Sequence, residues 1–181
     1  MRRIASIIGA LMAMSALALS GCATKYNLSS PQITEIKAQA ALPFGPPDRI
    51  ILRIDNDKDD WLYVNWDDAK IVGITGFAVP TTVVPANALG SIPPKSSVEY
   101  HVFPAQAYLP SGGLFDRRDG FNTLLVYDTD YDRMVENNDS PSLHLYVPVC
   151  QGDRSSCADG AKTGEGWSMS RLHGLVRRIQ P

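Results

Sequence analysis

The sequence predicts a mainly β fold, an antiparallel sandwich of the immunoglobulin-like or a related type with a short C-terminal helix. Three observations carry that expectation. Apolar and polar residues alternate with a period of two, as in Ile50, Leu52, Ile54 and in Leu143, Leu145, Val147, Val149. Clusters of Gly, Pro and Asp separate these runs at short intervals. Helical periodicity is confined to one stripe near the C-terminus, so most of the chain is left to short strands that each bury one face.

The chain opens with Arg2 and Arg3, followed by an almost unbroken apolar run from Ile4 to Leu19. A helix needs roughly 20 apolar residues to cross a bilayer, so this run is too short and fits the apolar core of an export signal. Residues 23–48 read as a tether, punctuated by Pro31, Pro43, Gly45, Pro46 and Pro47, with a single helical or extended piece at Ile33–Ala41. Ser30 before Pro31 would suit a cap and first position for a helix there.

From Arg49 the period becomes two. Ile50, Leu52 and Ile54 form one face of a strand, and Asn56–Asp60 makes a solvated turn. Leu62, Val64 and Trp66 predict its hairpin partner, then Lys70–Val72 and Phe77–Val79 follow, interrupted by Gly73 and Gly76. Thr81–Val84, between Pro80 and Pro85, suits only an edge strand or loop border. Val98, Tyr100 and Val102 predict a further strand, residues 104–121 a loop, Thr123–Tyr127 an apolar strand and Leu143–Val149 another. Leu172, Leu175, Val176 and Ile179 lie at offsets of three, four and seven, one stripe of an amphipathic helix capped by Ser170. Gly174 inside that helix would cost about 1 kcal/mol relative to Ala.

Leu19-Ser20-Gly21-Cys22 resembles the lipobox of bacterial lipoproteins: Leu three before the Cys, a small residue two before it and Gly immediately before it. The resemblance implies cleavage after Gly21, a diacylglyceryl group on the Cys22 thiol and an acylated Cys22 amine. Two or more acyl chains anchor stably where one binds only reversibly. It divides the chain into a signal peptide at 1–21, a lipidated N-terminus and tether at 22–48, and a periplasmic domain at 49–181. Ala23 stands where an inner-membrane lipoprotein would often carry Asp, which implies the outer membrane, facing the periplasm. The run Arg49–Phe103 resembles immunoglobulin-like domains of bacterial envelope lipoproteins, through the strand ending in Asp55-Asn56, the Asn65-Trp66-Asp67 segment and Ile92-Pro93-Pro94-Lys95.

Removal of residues 1–21 leaves 15 basic against 19 acidic side chains. That balance offers no clustered positive face for nucleic acid. With Cys22 taken by lipid, Cys150 and Cys157 remain, and in an oxidising compartment they read as a disulfide closing a small loop. A zinc site would need a second pair of ligands, and the spacing is not Cys-x-x-Cys.

No catalytic residue is assigned. There is no Gly-x-Ser-x-Gly elbow, His101 and His144 sit at outward strand positions, and His173 falls off the apolar stripe of the C-terminal helix. Asp128, Asp130 and Asp132, followed by Glu136 and Asp139, echo a calcium loop, whose cation takes several carboxylate oxygens. Arg133 occupies the place where such a loop needs Gly, and alternate aspartates on a strand make a solvated face, so no metal and no cofactor are assigned. Asp67, Asp68 and Asp116 are exposed carboxylates that nothing singles out for hydrolysis. Trp61, Tyr63, Trp66, Phe77, Tyr100 and Tyr108 serve either as sandwich core or as a glycan or peptide platform. The expected partners are the lipid bilayer, through Cys22, and another envelope protein, met at a sheet edge or the 104–121 loop. A small-ligand or glycan binding module is the alternative, and an envelope hydrolase the third.

Overall fold

A computed structural model describes residues 25–45, 47–84, 89–105, 124–153, 156–157 and 166–179. Cys22, the leader, and residues 106–121 with Tyr108 and Asp116 lie outside them. Among the described residues there are ten strands: β1 (Lys25–Ile33), β2 (Lys37–Ala41), β3 (Ile50–Asn56), β4 (Trp61–Asn65), β5 (Lys70–Val72), β6 (Ala78–Val84), β7 (Leu89–Ile92), β8 (Ser96–Pro104), β9 (Ser142–Gly152) and β10 (Trp167–Ile179). One helix, α1 (Asp128–Glu136), precedes β9.

Every strand pairing is antiparallel, in the order β1-β10-β9-β5-β6-β8-β3-β2, with β4 and β7 branching from β9. The fold is mainly β, a nearly closed, sandwich-like barrel. Two corners fold the sheet back on itself. At one, β6 pairs with β5 through Ala78–Pro80 and then with β8 through Thr81–Val84. At the other, three residues link β1 to β2, with Glu35 at φ 68°, so the first and last strands of the order are consecutive in the chain.

Alternation explains the core. In β3, Ile50, Leu52, Ile54 and Asn56 are buried while Arg53 is exposed. In β9, Leu143, Leu145, Val147 and Val149 point inward. Ile50, Ile54, Ile71, Ile92, Val64 and Val102 complete the middle of the barrel. Burial of each such side chain is worth about 1.5–3 kcal/mol, which is what holds the register. Two buried amides tie the turns. Asn56 Nδ2 donates to the carbonyls of Asp60, Ile92 and Pro93 at 2.8, 3.1 and 3.1 Å. Asn65 accepts from the Asp67 amide at 3.1 Å and donates to Asp68 Oδ2 at 2.7 Å.

Three expectations are corrected. The C-terminal stripe is strand, not helix: Leu172, Gly174 and Val176 face the core, whereas Leu175 is half-buried on the other face and Ile179 is exposed. Gly174 is needed there, because a Cβ would lie 2.5 Å from Leu28 Cγ of β1. The 22–48 tether is built into the sheet from Lys25 onward, with β1 pairing β10 and β2 pairing β3. A bulge between Ser29 and Gln32, with Ser30 at φ 49°, shifts the phase of β1 and hides its alternation. The apolar strand at 123–127 is absent from the described residues 124–127, where Leu125 donates to the Pro47 carbonyl at 2.7 Å; the aspartate repeat that follows lies on α1.

Candidate functional site

Helix α1 buries none of its residues, so side-chain contacts at one end of the barrel hold it. The tie is Arg178, near the end of β10. Its guanidinium lies 4.9 Å from the centroid of the Tyr131 ring of α1 and 5.6 Å from that of the Tyr26 ring of β1. Nη1 pairs with Asp132 at 2.8 Å, while Nη2 reaches Asp128 at 3.7 Å and donates to the Tyr26 hydroxyl at 3.0 Å. Tyr26 in turn donates to Asp128, and the Arg178 amide donates to the Tyr131 hydroxyl at 3.2 Å. Burial, and then the Asp128 carboxylate, push the Tyr26 phenol up to about 12.

The aspartates that echo a calcium loop pair with arginines. Asp128 and Asp132, one helical turn apart, share Arg178, and Asp130 pairs with Arg133 at 2.6 Å. Among the described residues no three His, Cys, Asp or Glu side chains gather to hold a metal ion.

Beside α1 lies an open groove of about 610 Å³, lined by Ile74, Phe77, Val79, Leu125 and Met134, with Asp130 and Arg133 among its polar lining. Phe77 is 77% exposed. The groove can seat an apolar group, but among its described lining residues there is no His, Cys or Ser to act as nucleophile or base.

The opposite end of β10 carries the disulfide. Cys150 and Cys157 are bonded, and both are buried with Tyr63 of β4 in a small apolar cluster on the outer face, with Trp167 packed against it. Trp61 and Met169 are exposed at this end. Between the two ends, His144 of β9 and His173 of β10 are directly cross-strand and their rings stack at 4.6 Å. Burial, and then His173, lower the His144 pKa. Ser142 Oγ lies 3.3 Å from His144 Nε2, a neighbour relation that the period of two on one strand face imposes. Among the described residues no carboxylate orients that ring, so the contact lacks the third member of a triad. His101 pairs instead with Glu99 at 3.3 Å.

No family model, curated protein or solved structure matches the chain.

The aromatics expected as core or platform are divided. Trp66 and Tyr100 are core, packed together at 4.8 Å over Gly90, where a Cβ would lie 2.6 Å from the Tyr100 hydroxyl. Tyr63 lies under the disulfide, while Trp61 and Phe77 stay exposed. Sequence reasoning missed Tyr26, Tyr131 and Arg178. Tyr127, Tyr131 and Met134, at offsets of four and seven, were the available signal for α1.

Proposed function

We propose that this chain is a lipid-anchored protein of the bacterial envelope whose barrel serves as a protein-interaction module in the periplasm. The observation that carries the reading is the Leu19-Ser20-Gly21-Cys22 sequence behind a short basic and apolar leader. The disulfide agrees with an oxidising compartment. Trp61 and Met169, exposed beside the disulfide cluster, offer the aromatic and Met side chains that interfaces favour. In this reading Cys22 holds the domain at the outer membrane, and its partner is another envelope protein rather than a substrate.

Cys22→Ala tests the anchor. The expected result is loss of palmitate labelling and release of the protein from the membrane fraction; labelling that persists overturns the reading. Photocrosslinking from position 61 or 169 in cells tests the module. A discrete protein adduct at these positions, absent from a probe at Asp59 in the solvated turn, is expected. The apolar groove favours a second reading, binding of a small apolar ligand. Co-purification of such a ligand, lost in Phe77→Asp, would support it over the first.

A further inference from the structure

β1 begins at Lys25, three residues after Cys22. Three residues span at most about 11 Å even when fully extended. The strand is not a free leader: Lys25 sits opposite Ile179 and Asn27 opposite Arg177, at the end of β10. Helix α1 is fixed to the same corner through Tyr26 and Arg178. Whatever holds Cys22 therefore holds this corner as well.

We infer that the corner formed by the start of β1, the end of β10 and helix α1 rests on the phospholipid surface, held there by the three-residue leash. The inference depends on the proposed acylation of Cys22. The chemistry of the corner fits a headgroup layer. Ile179 is 43% exposed, Val135 on α1 is 49% exposed, and Arg177 is an exposed cation for phosphate. The clamp also reduces what would oppose contact. Arg178 offsets one charge of the Asp128 and Asp132 pair and Arg133 offsets that of Asp130, so about half of the negative charge of α1 is balanced, and exposed Arg177 adds a cation beside it. The leash is about one Debye length at physiological salt, so these charges lie within the field of the surface. β10 then runs away from the bilayer as a spine. Over its 13 residues it carries Trp167 and the disulfide cluster up to about 40 Å from the anchored corner.

The test uses the full lipidated chain in phosphatidylethanolamine–phosphatidylglycerol vesicles containing a lipid with a quencher near the headgroup. Ile179→Trp, and separately Arg177→Trp, should add emission that the lipid quenches about twofold, as for a side chain at the headgroup boundary. Wild-type emission from Trp61, Trp66 and Trp167 should remain unquenched. Inserting a flexible Gly/Ser segment of about 24 residues between Thr24 and Lys25 should abolish the quenching while the protein still sediments with vesicles. Added tryptophans that go unquenched in a protein labelled with palmitate overturn the inference, as does quenching that survives the insertion. Absence of palmitate labelling instead removes the lipidation reading, and the two failures are told apart by that label.

Discussion

The two ends of β10 are secured by different physics. Near its C-terminal end, Arg178 gathers Tyr26, Tyr131, Asp128 and Asp132, tying β1 and α1 to the sheet with charge, hydrogen bonds and two ring faces. At its N-terminal end, Trp167 lies beside a covalent loop, Cys150–Cys157, seated on Tyr63. The first end depends on one residue that several partners share. The second depends on a bond that constrains the unfolded chain whatever the local packing. A polar clamp suits the corner where the chain joins its N-terminal segment, because it fixes a helix that brings no buried side chain of its own. A staple suits a short loop with little core beneath it.

Removing Arg178 should have the largest effect. Arg178→Ala takes away a charged hydrogen bond, two ion pairs and two ring contacts, and leaves Asp128 and Asp132 without their cation; a loss of about 3 kcal/mol is expected in urea unfolding. Hydrogen exchange should rise in α1 and leave the disulfide end unchanged. Equal loosening at both ends would break the comparison.

Cys150→Ala with Cys157→Ala should cost about 2.5 kcal/mol by loop-closure entropy. Dithiothreitol should destabilise the wild type by the same amount and leave the double variant unmoved. Tyr26→Phe keeps the ring against Arg178 and removes only the hydroxyl, so about 1 kcal/mol should be lost. A loss as large as that from Arg178→Ala would place the clamp's strength in the phenol instead of the guanidinium.

The smallest effect lies midway along β10. The folded state holds the His144 pKa below its ordinary 6.5, so the unfolded chain binds that proton more tightly. Stability therefore rises with pH between the lowered value and 6.5, and is lost as pH falls through that window. His144→Gln should flatten that part of the profile in thermal melts, and an unchanged slope would locate the proton elsewhere.

Much of the β architecture was legible in the residues. Ile50, Leu52 and Ile54, and the run from Leu143 to Val149, alternate because each strand has one face in the core. β10 was not legible, because Leu172 and Val176 are four apart, a spacing that satisfies both a helical stripe and one face of a strand. Leu175 and Ile179 completed the helical pattern from the outer face. β1 reads as polar tether because its bulge breaks the alternation, and α1 was hidden by aspartates at every second position.

By itself the sequence determined the mainly β class, because period-two patterning is a local property, and with the lipid expected on Cys22 it pointed to Cys150 with Cys157, which are close in the chain. Only the tertiary structure decided that residues from Lys25 belong to the barrel, that Gly174 makes room for Leu28, and that the aspartates of α1 serve an arginine. Each of these joins residues far apart in the chain, Leu28 with Gly174 and Asp132 with Arg178 among them. No pattern along one strand or helix specifies such neighbours; closure of the sheet brings them together.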